Sequence, residues 1–347
     1  MTNAARIDGA GYSLVEDASL AGRNTLRVDA RAALLADVRD AAALPEVLGF
    51  PWVRNAPVLV VGEGSNLLLT RDFPGLVLVP AMRGIAIVDD DGDTATVRAH
   101  AGENWNEFVL WTLGQGLAGL ENLVLIPGAV GAAPIQNIGA YGVELAEFVH
   151  AVDAYDRAAA APLRFANADC AFGYRDSRFK REPDRYVVTA LELRLPRRRE
   201  PRLDYAGVRD ELAAMRVDAP TPSLVAEAVS RLRRRKLPDP AVIGNAGSFF
   251  KNPVVPKAQA DALARDHAAM PRWPAGDATK LSAAWLIEQT GLKGVRDGDA
   301  GISERHALVL VNHGRATGAQ LAALAQRVQR DVHARFGVAL EAEPRIV

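Results

Sequence analysis

Residues 127–142 read PGAVGAAPIQNIGAYG, with four glycines, two prolines and no charge. Such a stretch does not propagate as a helix, because glycine is entropically costly there and proline removes a donor. Ile135, Ile138 and Tyr141 make it too apolar for a disordered linker. An ordered loop is what remains, with backbone N–H groups and the Gln136 and Asn137 amides as hydrogen-bond partners. One reading presses this loop against a large planar cofactor. A buried turn between strands is the other, and the segment alone leaves both open.

Upstream, Val58–Val61 reads as a buried strand running into Gly62-Glu63-Gly64-Ser65-Asn66, after which Leu67–Leu69 resumes it. Two glycines around a carboxylate, followed by Ser and Asn, make a tight turn whose amides can face outward to a pyrophosphate. The dinucleotide fingerprint needs a third glycine and a helix directly afterwards, so a Rossmann site is disfavoured. A plain hairpin turn also accounts for these five residues. Before them the chain reads β-α-β: Thr25–Val28 as a short strand, then the alanine-rich Arg31–Leu48 as a helix.

Downstream the chain is rich in strand patterns: Ile85–Val88 and Thr94–His100 before the loop, Val149–Tyr155 and Tyr186–Leu195 after it. Asn104–Leu113 reads as an amphipathic helix ending at Gly114. A second helix opens at Thr221-Pro222, ends in the basic run Arg231–Lys236 and stops at Leu237-Pro238. Basic residues suit a helix C-terminus, so a solvated helix end is the default reading of Lys236. Lys280–Thr290 reads as helix and Ala307–Val311 as a buried strand. Thr317 and Gln320 form a capping box for a last helix, with Leu321, Leu324, Val328 and Val332 on one face and Gly337 at its end.

The 347 residues allow two or three domains. With 41 Lys+Arg against 42 Asp+Glu, nothing suggests electrostatic capture of nucleic acid or membrane. Cys170 is the only cysteine, which excludes a disulfide framework and favours a reducing compartment. There is no long apolar run and no basic-then-apolar leader pattern, so a soluble cytoplasmic protein is expected.

Three further segments set polar residues in apolar or glycine-rich surroundings: FGYRDS (172–177), GNAGSFFKNP (244–253) and LEAEPRIV (340–347), the last placing Glu343 in an apolar strand. Singly, each has a structural reading: a buried arginine, a turn serine, an edge-strand glutamate. No GxSxG elbow surrounds Ser248, and the six histidines show no HExxH or other metal spacing, so neither a hydrolase triad nor a metal site is expected.

Taken together and in order, these segments resemble the UDP-N-acetylenolpyruvoylglucosamine reductase (MurB) family. The matching pieces are NTLRV, VGEGSNLLL, GENW, GLENLVLIPGAVGAAPIQNIGAYGVEL, FGYRDSRFK, LDYAGV, RRKLPDP, GNAGSFFKNP, AAWLIEQTGLKG and LEAEPRIV, spanning Asn24 to Val347. The resemblance implies an α+β protein. Its FAD-binding fold is of the vanillyl-alcohol-oxidase (PCMH) type, with subdomains over residues 1–80 and 81–236. A third α+β domain over 237–347 binds substrate.

The same resemblance implies non-covalent FAD, NADPH as co-substrate and a nucleotide sugar as substrate. The reaction reduces the enolpyruvyl ether of UDP-GlcNAc to UDP-N-acetylmuramate. NADPH reduces FAD, the flavin N5 hydride goes to the terminal vinyl carbon, and a proton follows to its neighbour. Gly62, Gly64, Ser65 and Asn66 then belong at the FAD pyrophosphate. Pro127, Gly128, Gly131, Gln136, Asn137, Gly139, Ala140, Tyr141 and Gly142 belong along the flavin. Ser248 is implied as proton donor, with Arg175 and Glu343 flanking the developing enolate.

Tyr205 matches the tyrosine that covers the nucleotide sugar in the family form with a long covering segment. Tyr174, Lys236, Asn252 and Gln289 match positions near substrate or NADPH phosphates. One cavity serving both in turn predicts ping-pong kinetics. A bacterial cytoplasmic monomer is expected, without membrane insertion or nucleic-acid partner. An FAD-dependent oxidase of the same fold and a non-catalytic nucleotide-sugar binder are the alternatives.

Two departures stand out. Ala132 and Ala133 occupy positions where many relatives carry Ser or Thr, and a lost hydroxyl contact predicts FAD retention weaker by about 0.5–1.5 kcal/mol. The chain also stops directly after the strand bearing Glu343, which predicts loose packing there.

Overall fold

The structure is a computed structural model and describes residues 6–347. The chain gathers into two compact units that interleave along the sequence. One takes the described residues up to Ala18 together with Ala32–Glu63 and Phe73–Arg233. The other takes Ser19–Arg31, Gly64–Asp72 and Arg234–Val347.

The first unit is built on two five-stranded sheets. One runs Arg6–Gly9, Tyr12–Ser19, Arg31–Val38, Phe73–Pro80, Val58–Val60 in spatial order, and its last three strands are parallel. The other is antiparallel and runs Ala161–Ala166, Val149–Asp156, Tyr186–Pro196, Thr94–His100, Ile85–Asp90. Val97, Val152, Val188, Leu191 and Leu193 of the second sheet share a core with Trp105 and Phe108 of the helix Trp105–Gly114. The Trp105 indole N–H donates to the Leu123 carbonyl at 2.9 Å, so the ring is buried without an orphaned donor.

The second unit carries a four-stranded antiparallel sheet: Gly244–Asn245, Leu310–Asn312, Ala300–Ile302, Arg296–Asp297. A three-stranded sheet of Val254–Pro256, Ala278–Leu281 and Arg272–Ala275 stands beside it in the chain. The helix Gly318–Phe336 packs on the strands Ala300–Ile302 and Leu310–Asn312. It has the expected start and stop: Thr317 and Gln320 close a capping box, and Gly337 is left-handed at φ 63°. Leu321, Leu324, Val328 and Val332 are all buried.

Several expectations need correction. Arg31–Leu48 is not a helix: Arg31–Val38 is a strand, followed by short helical turns at Ala41–Ala43 and Leu44–Gly49. It lies between two other strands, and this pairing overrides the helix propensity of its alanines and leucines. Thr25–Val28 is not a strand but a loop knotted by Asn24, whose amide donates to the Leu20 and Val28 carbonyls and accepts from Val28 N–H. The helix expected over Lys280–Thr290 is Ala283–Gln289, because Lys280 and Leu281 belong to a strand. Glu343 is not inside a continuous strand; it lies between a single bridge at Ala342 and the short strand Arg345–Ile346. That end is nevertheless tied down, since Arg345–Ile346 pairs in parallel with Leu67–Leu68 and Thr70 donates to the Val347 carbonyl.

Candidate active site

In the first unit Gly62, at the start of one expected cofactor segment, meets the other. A Cβ on Gly62 would stand 3.3 Å from the Cβ atoms of Ala129 and Ala132, so the turn after Val58–Val60 lies against the 127–142 loop. Asn104 fastens the same corner. Its amide donates to Glu63 at 2.9 Å, its oxygen caps the following helix through Glu107 N–H, and its backbone bridges Ala129. The loop is strained where sequence reading placed the ligand: Asn137 and Tyr141 have φ of 46° and 48°. Gly131, Ala132, Gly139 and Ala140 line it with small, half-buried residues. Gln136 is half-buried beside them, while Pro127 is exposed and Gly128 buried. A Cβ on Gly142 would meet nothing within 4 Å.

The FGYRDS segment is tied to this loop by three contacts. Arg175 Nη2 donates to the Gly139 carbonyl at 2.5 Å, Ser177 Oγ to the Ile135 carbonyl at 2.5 Å, and Asn137 Nδ2 to the Gly173 carbonyl at 3.0 Å. A Cβ on Gly139 would lie 2.9 Å from the Arg175 guanidinium and 3.0 Å from the Val143 carbonyl oxygen, so a larger residue there would make its neighbours shift. Arg175 is itself left-handed at φ 53°, and its guanidinium sits 5.3 Å from the centre of the exposed Tyr174 ring. The ring of Tyr205 meets that of Tyr141 edge-on at 5.0 Å.

The side chain of Asn137 bonds within the protein. The residue is buried, and its amide also donates to Glu144 at 2.9 Å while its oxygen accepts from Ala146 N–H. Its side-chain polar atoms are thus engaged by the protein, and its amide is a strut of the loop.

In the second unit Ser248 and Glu343 come from paired segments. Glu343 N–H donates to the Phe249 carbonyl at 2.9 Å, Lys251 N–H to the Glu341 carbonyl at 3.0 Å, and Phe250 bridges Ala342. Ser248 is half-buried at the head of this pairing. Asn245 shapes the turn before it by accepting from Gly247 N–H, and the buried Phe249 and Phe250 rings anchor the residues after it. Gly64 belongs here as well. Its φ is +65° and a Cβ would fall 2.1 Å from the Arg23 carbonyl oxygen, so only glycine fits. Ser65 follows it, half-buried, and the Asn66 amide donates to the Glu343 carbonyl at 3.2 Å. Asn252 accepts from Ala283 N–H, while Lys236 and Gln289 are exposed. The structure therefore assigns Arg175, Tyr174 and Tyr205 to one unit, and Ser248, Glu343, Asn66, Lys236, Asn252 and Gln289 to the other.

Sequence reasoning passed over Asn104, Ser177, Arg233 and His306. An Asn three residues before Glu107, and a Ser opening a short basic turn, are capping signals that flag the first two. Arg233 lies within the run read as a solvated helix end. Burial pulls its guanidinium below the ordinary arginine value, opposed by nearby Tyr141. His306 is pushed down by burial and by Lys236 and Lys293, with Glu288 opposing. Among the described residues no group of three or more His, Cys, Asp or Glu is set to hold a metal, and no helix is long and apolar enough to cross a membrane.

Comparison with known proteins now bears on this geometry. Residues 32–160 match the FAD binding domain model, and residues 239–347 match that of the UDP-N-acetylenolpyruvoylglucosamine reductase C-terminal domain. A protein of that reductase name from Xanthomonas campestris is 54% identical over 338 residues, covering 97% of each chain. One from Xylella fastidiosa is 50% identical over 344 residues, covering 99% of this chain and 98% of its own. The crystal structure of the reductase from Thermus caldophilus superposes with a TM-score of 0.65 at 27% identity, over 96% of this chain and 98% of that one. The expected α+β, FAD-binding fold agrees with these matches and with the strands and helices seen. On identity and coverage alike, the chain belongs to the UDP-N-acetylenolpyruvoylglucosamine reductase family.

Proposed function

We propose that this chain reduces the enolpyruvyl ether of a UDP-N-acetylglucosamine substrate to the lactyl ether, using FAD and NADPH, in the bacterial cytoplasm. The residues fit FAD. The Gly62 turn packs on a loop of small residues, its backbone is pinned by Asn104 and Asn137, and Gly142 opens onto free space. Gly62, Pro127, Gly128, Gly131, Gln136, Asn137, Gly139, Ala140, Tyr141 and Gly142 would hold it, together with Gly64, Ser65 and Asn66. When bound, FAD accepts a hydride from NADPH and supplies one to the substrate.

The remaining chemistry falls to the chain. Addition of hydride to the vinyl carbon drives negative charge onto the substrate carboxylate, and a fixed cation stabilises charge where it develops. Arg175, held by the Gly139 carbonyl, supplies that cation, and Glu343 flanks the same group. Ser248 delivers the proton to the adjacent carbon. A serine hydroxyl is a weak acid in water, so this role needs a positioned, charge-stabilised site. Tyr205 and Tyr174 cover the nucleotide sugar, with Lys236, Asn252 and Gln289 toward its phosphates or those of NADPH. The domain division proposed with this reading is 1–80, 81–236 and 237–347.

The observation that supports the reading is the pairing of GNAGSFFKNP with the closing segment in a reductase-family chain, in which Glu343 bonds through its N–H to Phe249, the residue after Ser248. The test is stopped-flow on Ser248→Ala. Substrate reduction should fall by about 10²- to 10⁴-fold while flavin reduction by NADPH stays near the wild-type rate. Equal loss of both half-reactions would remove Ser248 from the mechanism.

A further inference from the structure

Residues 199–204 form no helix or strand, so nothing periodic fixes where they carry Tyr205. What does fix them converges on Arg202. Its Nη1 donates to the Gly142 carbonyl at 2.7 Å and to Glu147 Oε1 at 2.9 Å, and its Nη2 lies 2.8 Å from Glu147 Oε2. The Arg202 carbonyl in turn accepts from Asn122 Nδ2 at 3.0 Å, and the same nitrogen donates to the Tyr141 carbonyl at 2.9 Å. One arginine thus joins its own segment to the end of the cofactor loop through both backbone and side chain. Three residues later, Tyr205 meets the Tyr141 ring.

The anchors are themselves fixed. Glu147 closes the capping box of Leu145–Glu147 by accepting from Glu144 N–H at 3.1 Å. Arg199 contacts Glu147 at 3.0 Å and stacks over the Phe148 ring at 4.7 Å, a second hold at the start of the segment. Asn122 is fully buried and its Oδ1 has no hydrogen-bond partner, so its two donated bonds alone orient the amide. Gly142 contributes no side chain, and its left-handed φ of 82° belongs to the turn whose carbonyl Arg202 takes.

We propose that Arg202 is a positioning residue. It latches the 199–205 strap to Gly142 and Glu147 and so sets Tyr205 in register with Tyr141. This rests on the reading above, in which Tyr205 covers the nucleotide sugar. A bidentate guanidinium is suited to the task, because it satisfies a carbonyl and a carboxylate at once in fixed geometry.

The experiment compares Arg202→Ala, Arg202→Lys and Tyr205→Ala in the FAD-loaded enzyme. Arg202→Ala should raise KM for the enolpyruvyl nucleotide sugar about three- to tenfold with kcat within about twofold, as expected for partly exposed ion pairs. Flavin reduction by NADPH should be unchanged, and Arg202→Lys should recover part of the KM. Independently of activity, hydrogen exchange of amides 203–207 should quicken in Arg202→Ala, while the helix Val208–Ala214 stays protected. In a Tyr205→Ala background, Arg202→Ala should add no further rise in KM. Unchanged exchange and unchanged KM in Arg202→Ala would overturn the latch. An undiminished rise in the Tyr205→Ala background would overturn its route through Tyr205. Should Tyr205→Ala itself leave KM unaltered, the covering role of Tyr205 fails, and exchange alone still decides whether the latch exists.

Discussion

Asn137 shows how one amide holds a corner of the candidate site together. It joins Glu144, Ala146 and Gly173, which are distant enough in sequence that no local spacing announces the cluster. Replacing it with alanine removes the partners of the half-buried Gly173 carbonyl and Ala146 N–H, at about 1–3 kcal/mol. Asn137→Ala should therefore lower the denaturation midpoint. Because it frees the strand of chain leading to Arg175, it should also depress turnover more than FAD content. Equal losses in both would mean that Asn137 serves only the loop. Ser248, Arg175 and Glu343 could be singled out as candidates from the sequence because they sit in blocks of glycines, amides and aromatics. The partners of Asn137 could not, since they follow from tertiary approach.

At the level of elements, the antiparallel sheet of the first unit carries its own ion network. Arg98 pairs with Asp153 at 2.5 Å and with Glu192 at 2.7 Å, while Arg164 pairs with Asp153 at 3.0 Å and also with Glu192. The four residues come from three adjacent strands and one edge strand, so the network staples neighbouring strands across the sheet. Glu192 is buried, and its carboxyl is held below the ordinary value chiefly by the Arg164 hydrogen bond. Glu192→Gln should cost about 1–3 kcal/mol, a loss that high salt reduces only partly because the site is shielded from solvent. A double-mutant cycle with Arg164→Ala measures it, and additive effects would show the pair to be uncoupled. The helices and most strands of this sheet were legible from periodicity and caps. Arg31–Val38 was misread because its composition favours helix, and only its place between two strands makes it extended.

Across the whole molecule the two units respond to acid through different groups. In the first, Asp156 and Glu192 are held below the ordinary carboxylate value, most strongly by Arg185 and Arg164 respectively. Their stabilisation is complete above about pH 4 and is lost as pH falls through their lower folded values. In the second, folded His306 stays neutral where an unfolded imidazole would already accept a proton. Its contribution is complete above about pH 6.5 and fades as pH falls from there. The melting temperature should decline in two stages, a shallow one below about pH 6.5 and a steeper one below about pH 4. His306→Gln should erase the first stage alone, and calorimetry at a series of pH values checks both.

The interleaving of the units has a consequence for synthesis on the ribosome. The second unit draws Thr25 onto Asn245, Leu26 onto Asn312 and Leu67–Leu68 onto Arg345–Ile346, so early residues pair with some of the very last. Those N-terminal pieces emerge long before their partners exist and must wait, unpaired, while about 220 to 290 further residues are translated. A nascent chain halted before the final segment would hold a first unit with its own core and two stranded loops, a natural target for chaperones and proteases.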